Sequence, residues 1–262
     1  MGAPAARSKT RRRNPRDEAP EAGRPTLSAP SGTLPYDLIA FDGDDTLWDT
    51  QPLYEAAKDE FEHLCRELGL WGTGVRSQLD RVDAERVASL GFSRNRFPGS
   101  LVQVIETRAA KAGITLPPDA TKRAWRIGEH VFEKPAPLRR AVPSLMAALA
   151  KHYRLILVTK GDRGVQVQRV RAHDLSRHFE SVHIVRQKSP ATLRRIFRSK
   201  GVDPSRALVV GDSLRSDIHP ALAIGASALW IPSQNWRFEH AELPTSTRFS
   251  QAESLDYLQK LS

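Results

Sequence analysis

Four aspartates crowd the ten residues 41–50 (FDGDDTLWDT), directly after the apolar run Leu38-Ile39-Ala40-Phe41. Carboxylates that close repel one another and resist ionising together. Either a solvated turn holds them apart or a cation sits among them, and a cation there brings chemistry. Other chemistry-bearing residues also follow apolar runs. Thr159-Lys160-Gly161 ends "YRLILVTKG", Lys188 follows "SVHIVR", and Gly211-Asp212-Ser213 ends "ALVVGDS", with Asp217 shortly after. The set holds several carboxylates, a hydroxyl and a lysine. Hard oxygen donors of this kind suit Mg²⁺, which takes one or two carboxylates plus water and substrate phosphate.

Five segments must position these groups: 36–44 (YDLIAFDGD), 153–161, 181–186, 207–213 and 226–232 (ASALWIP). Each is short and nearly continuously apolar, which fits strands covered on both faces of a parallel sheet. Helical patterns alternate with them: PSLMAALAKH, GVQVQRVRAH, SPATLRRIFRSKG and DIHPALAIGA. In the third, Ser189 suits an N-cap, Pro190 the first helical position and Gly201 the stop. The alternation predicts an α/β, Rossmann-like, doubly wound parallel sheet, whose ligand crevice lies beyond the carboxyl ends of its strands.

About 110 residues separate the first strand from the second, far more than one crossover needs. They read as helical, with Leu53, Ala57, Phe61, Leu64 and Leu68 at helical intervals. The expected organisation is a core from 35–52 and 135–262 with an inserted α-helical cap domain at 53–134. Trp71 and Trp125 are expected in the cap's core and Trp230 in the last strand. Trp48 is expected to pack rather than to stack on a substrate. Asp45 and Asp49 read as solvated turn residues or helix caps, and Arg215 as solvent-facing. The end of the chain, from QNWRFEHAELP to SLDYLQKLS, reads as a loop and a short closing helix without chemistry.

With the motifs in place, the chain resembles the haloacid dehalogenase superfamily of phosphatases. That family's Asp-x-Asp-x-Thr matches 42–46, its strand-ending Ser or Thr matches Thr159, its Lys matches Lys188, and its Gly-Asp with a later acid matches 211–217. The resemblance implies a phosphomonoesterase in which Asp42 is the nucleophile and Asp44 the general acid and base. It implies Mg²⁺ held by Asp42, Asp212 and the backbone of Asp44. Thr159, Lys188 and the backbone at Lys160 and Gly161 would stabilise the transferring phosphoryl group, and Thr46 and Asp217 would support the site. An Asp at position 44 favours phosphate esters over halides, which need no acid for the leaving group. The cap would close over a small phosphorylated metabolite, and Arg94 and Arg96 in GFSRNRFPGS (91–100) would contact an anionic group on it; ordinary surface arginines are the competing reading. A phosphotransferase or mutase of the same superfamily fits the same motifs.

Composition bounds the remainder. The chain has 262 residues, 40% hydrophobic and 27% charged, enough for a sizeable core. Its one cysteine, Cys65, excludes an intramolecular disulfide and a cysteine-based zinc site; it reads as packing, and the protein as cytoplasmic. No apolar stretch approaches the ~20 residues that span a bilayer, so no membrane partner is expected. Formal net charge is +10, about +4 of it in residues 1–34. That Pro-, Ala- and Arg-rich stretch is expected to be a disordered basic tail. A non-catalytic, nucleic-acid-associated role through the tail is the reading from another class. No aromatics interleave with the basic run, so a solvated surface is preferred over a nucleic-acid site.

Overall fold

The computed structural model describes residues 35–233 and 236–261; the expected disordered tail lies outside them. Six parallel strands form one sheet in the order β3-β2-β1-β4-β5-β6. They are β1 (Leu38–Phe41), β2 (Arg154–Lys160), β3 (Ser181–Val185), β4 (Ala207–Gly211), β5 (Ser227–Trp230) and β6 (Phe249–Gln251). Five coincide with the expected segments. The sixth falls where a loop was expected, because three residues flanked by polar ones carry too little pattern to read.

Every residue of β1 is buried. Its central place explains why it reads as an unbroken apolar run rather than an alternating one. The chain winds outward from β1 to β2 and β3, then returns to β4 on the other side of β1. The reversal between β1 and β4 is the switch point at which such sheets open a crevice. Phe41 pairs with Leu157 of β2 and Val210 of β4, so Asp42, Thr159 and Asp212 emerge together on one edge.

Two hydrophobic cores sandwich the sheet. One packs Ile39, Phe41 and Leu157 against α5 (Val142–Leu149) and the closing turn Leu255–Leu261. The other packs Leu38, Ala40 and Val209 against α7 (Pro190–Ser199) and α8 (His219–Leu222). Ser189 caps α7 as expected, accepting from the Thr192 N–H at 3.1 Å. Helix α6 (Arg163–Ala172) follows β2 and is capped by Asp162.

Between β1 and α5 lie four helices: α1 (Gln51–Glu67), α2 (Val75–Leu90), α3 (Arg96–Ala112) and α4 (Ala120–Glu133). They enclose a third core of their own, built on Phe61, Leu64, Cys65, Leu79, Phe97, Leu101 and Ile105. Cys65 is fully buried there, as its sequence setting suggested, and burial pushes its thiol up to about 11. Trp71 departs from expectation. It is 46% exposed and lies under the Arg66 guanidinium, 3.9 Å from the ring centre. It falls just after α1 ends, outside the helical period that drives side chains inward. Trp125 is half-buried and Trp230 sits in β5.

The turn between β1 and α1 decides between the two readings of Asp45, solvated turn residue or helix cap, in favour of the cap. This residue is buried, not solvated, and its backbone is left-handed with φ +59°. Its carboxylate accepts from the Thr50 N–H and hydroxyl, both at 2.7 Å, and from the Gln51 N–H at 3.1 Å. It therefore caps α1 from five residues upstream. Asp49 is ion-paired with Arg139 at 2.7 Å. Asp45→Ala strands these donors and places a Cβ residue without local hydrogen bonding at positive φ. The expected loss is about 2 kcal/mol in urea unfolding, with the slope unchanged.

Candidate active site

Asp42 is fixed by the sheet itself: its N–H donates to the Val210 carbonyl at 2.9 Å. Its carboxylate is buried, ion-paired with the Lys188 ammonium, and accepts from the Thr46 hydroxyl at 3.2 Å. Lys188 also donates to Asp217 at 2.6 Å. Asp217 in turn accepts the Ser213 N–H at 3.1 Å. It reaches this position through one wide turn after β4, in which the Ile218 N–H bonds back to the Ser213 carbonyl at 3.2 Å. Such single-turn π geometry is common at functional sites. Gly211 is obligatory beside it, because a Cβ there would lie 2.4 Å from the Asp217 carboxyl carbon. Gly43 serves similarly between the two motif aspartates, where a Cβ would come within 2.5 Å of the Trp48 ring.

Carboxylate oxygens of Asp42, Asp212 and Asp217 lie within 4.8 Å of one another, all three residues buried. Among the described residues, one lysine, Lys188, is ion-paired with this group of like charges. Burial, only partly offset by Lys188, raises the Asp42 carboxyl from 3.8 to about 7. Burial, and then the negative charge of Asp42, likewise raises Asp212. Burial alone would pull the Lys188 ammonium down, but Asp217 and Asp42 outweigh it and hold the lysine charged. A cluster of hard oxygen donors short of positive charge fits a hard divalent cation such as Mg²⁺. The Asp217 side chain joins those of Asp42 and Asp212 in this cluster; Asp44, from which only a backbone donor is expected, turns its side chain away.

Asp44 faces α6. It accepts from Trp48 Nε1 at 2.6 Å, Gln166 Nε2 at 2.9 Å and Arg169 Nη1 at 2.6 Å. Trp48 thus packs, fully buried, and orients an aspartate as well. Thr159 is buried and its hydroxyl donates to Gln166 Oε1 at 3.1 Å, so one glutamine links the expected acid to the expected phosphoryl contact. Gln166 and Arg169 belong to no motif in the sequence. Their spacing of three on α6 places them on one face, but two polar residues so spaced on a helix usually mark solvent.

The Lys160 side chain donates to Ser216 and to Glu239, each at 2.5 Å, which leaves its backbone as the group expected to meet a phosphoryl oxygen. Glu239 is buried and comes from the C-terminal segment that was expected to carry no chemistry. Gly161 has φ +137° and lines the cavity. The two arginines of 91–100 part company. Arg96 is buried, lines the cavity, and is ion-paired with Asp83. Arg94 is exposed and does not line it. Only 91–95 of that segment is irregular, since α3 begins at Arg96. Arg215 is exposed, with its guanidinium 4.4 Å from the Phe238 ring centre.

A cavity of about 140 Å³ gathers Asp42, Asp44, Thr159, Lys160, Lys188 and Asp212 below and Tyr54, Phe92, Arg96 and Phe132 of the helical layer above. The model for haloacid dehalogenase-like hydrolases matches residues 36–225, and the chain belongs to that family. The glyceraldehyde 3-phosphate phosphatase of Pyrococcus abyssi is 25% identical over 207 residues, covering 74% of this chain and 80% of that one. Human N-acylneuraminate-9-phosphatase is 32% identical over 100 residues, covering 36% of this chain and 40% of its own length. Among solved structures, a haloacid dehalogenase-like family hydrolase from Xanthomonas campestris superposes with a TM-score of 0.71 at 26% identity, over 86% of this chain and 96% of that one. Among the described residues, no helix is long and apolar enough to cross a membrane.

The raised Asp42 carboxyl has a stability consequence with a definite sign. A carboxyl that binds its proton more tightly folded than unfolded stabilises the fold at low pH. That contribution fades as pH rises from 3.8 towards 7 in the metal-free protein. Relative to wild type in EDTA, Asp42→Asn is expected to gain about 1–2 kcal/mol between pH 5 and pH 7.5, read by chemical denaturation. A second substitution tests the geometry. Gly211→Ala is expected to displace Asp217 and lower stability by about 1–3 kcal/mol by the same measurement.

Proposed function

We propose that this hydrolase is a Mg²⁺-dependent phosphomonoesterase of small phosphorylated metabolites that works through an aspartyl-phosphate. The observation that carries the reading is the buried Asp42 carboxylate. It is clamped between Thr46 and Lys188 at the floor of a cavity that also holds Asp44 and Thr159. An Asp42 oxygen attacks phosphorus, and the bond from phosphorus to the ester oxygen breaks. Asp44 delivers the proton that the departing oxygen needs. Water then attacks the same phosphorus, Asp44 takes its proton, and inorganic phosphate leaves with Asp42 restored. Thr159 and Lys188 stabilise charge on the phosphoryl oxygens throughout.

Asp42 and Asp212, with Asp217 in reach, would hold Mg²⁺, which supplies the positive charge that lets an anionic nucleophile meet an anionic phosphate. Asp44 serves as acid only after its side chain turns from Arg169 towards the ester oxygen, so its pairing to α6 reads as a resting position. The α1–α4 layer acts as the cap of 53–134, and the cavity volume suits a small substrate better than a polymer. The relatives' substrates, glyceraldehyde 3-phosphate and N-acylneuraminate 9-phosphate, are the first two candidates. The cytoplasmic assignment rests on the single, buried, unpaired cysteine.

The test is phosphate release from a panel of sugar phosphates, those two compounds and an aryl phosphate, with Mg²⁺ or EDTA. Wild type is expected to turn over at least one compound only with Mg²⁺. Asp42→Asn is expected to lose about 10³-fold or more in kcat, about 4 kcal/mol of activation free energy. Relocation of the phosphoryl group to a second hydroxyl, without release, would instead establish a phosphotransferase.

A further inference from the structure

Beyond residue 225, where the family match ends, the chain leaves β5 and returns over the cavity in the short turn Arg237–Glu239. One ring contact stiffens this segment, and two contacts join it to the irregular stretch ahead of α3 and to the first residue of that helix. The rings of Trp236 and Phe238 stack, with centroids 5.1 Å apart and planes at 28°. Phe238 meets Phe92 edge-on, at 6.1 Å and 68°. The Arg96 guanidinium carbon lies 4.8 Å from the Trp236 ring centre. Aromatic pairs in offset or edge-on geometry, and a cation over a ring face, are attractive beyond the area they bury.

The segment is anchored from below as firmly as it is joined above. Glu239 accepts from Lys160 at 2.5 Å and from the Ser213 and Ser216 hydroxyls at 2.6 Å each. Lys160 itself lies 4.3 Å from the Phe92 ring centre. One end of the segment is therefore tied to the carboxyl edge of the sheet and the other to the helical layer. Phe92, Trp236 and Glu239 all line the cavity. The sheet closes the space beneath the phosphoryl site, so the group esterified to phosphate must extend upward, towards these rings.

We infer that Trp236 is a specificity-determining residue: with Phe92 it forms the wall that limits the length of the substrate's leaving group, while Phe238, stacked on Trp236 and edge-on to Phe92, latches the helical layer to the sheet edge. The inference rests on the phosphomonoesterase reading for its substrate, but not for the latch. A leaving group that reaches past the wall has to separate the rings, which costs both their mutual contact and the exclusion of water that the closed cavity provides. A short one fits beneath them.

The test compares wild type, Trp236→Ala/Phe238→Ala and, from the opposite side of the contact, Phe92→Ala. Two readouts are taken: kcat/KM for octyl over ethyl phosphate with Mg²⁺, and hydrogen exchange of the amides of residues 91–96. Both variants are expected to raise the octyl-to-ethyl ratio about tenfold or more. They are also expected to speed exchange at 91–96 about tenfold. A ratio within about twofold of wild type, in variants that still hydrolyse ethyl phosphate, overturns the inference and leaves the phosphatase reading standing. If wild type hydrolyses neither ester, the latch is decided by exchange alone, and unchanged exchange in both variants overturns it.

Discussion

The site depends on an excess of buried negative charge. Asp42, Asp212 and Asp217 converge on one edge of the sheet, and among the described residues one ammonium, that of Lys188, is ion-paired with them. Asp42 and Asp217 are held there by backbone geometry that serves another purpose as well. Asp42 continues the β1–β4 ladder, and Asp217 hangs from the wide turn after β4. The fold thus fixes carboxylates where their own electrostatics would part them. Removing a single lysine or adding a single divalent cation changes the balance of the whole cluster, because every member lies in a weakly screened interior.

Around that cluster the neighbours are tuned by contact rather than by sequence proximity. Gln166 ties Thr159 to Asp44. Trp48 fills space behind Gly43 and donates to the same Asp44. Lys160 is drawn away from the phosphoryl position by Glu239, a partner 79 residues further along the chain. The aspartate expected to handle the proton is thereby oriented by three donors from two elements, and the lysine beside it has its charge matched elsewhere.

The sheet and the carboxylates were legible in the sequence because they obey local rules. A central parallel strand is apolar on both faces, and the residues just past its carboxyl end lie in the crevice. That reasoning reached Asp42, Thr159, Lys188, Asp212 and the cap on α7. It failed where the determinant was long-range. For Asp45 the pattern left a solvated turn residue and a helix cap open, and only the start of α1 folding back onto it decides for the cap. Arg94 and Arg96 looked equivalent, but α3 begins at Arg96 and turns it inward onto Asp83, while Arg94 stays exposed in the irregular stretch before it. β6 and Glu239 carry no periodicity, and nothing in a three-residue strand or a lone glutamate says what it will meet.

The helical layer keeps a hydrophobic interior separate from the two that flank the sheet, and Leu53 packs against both it and the α5 side of the sheet. An interior divided in this way allows the helical layer to open apart from the sheet. Helices α1–α4 can repack, drift in sequence or open as a body while the strands that carry the carboxylates stay at full stability. The chemistry is thereby insulated from changes in what is recognised: a lineage can rewrite the roof of the cavity through many substitutions without once disturbing the geometry of its floor.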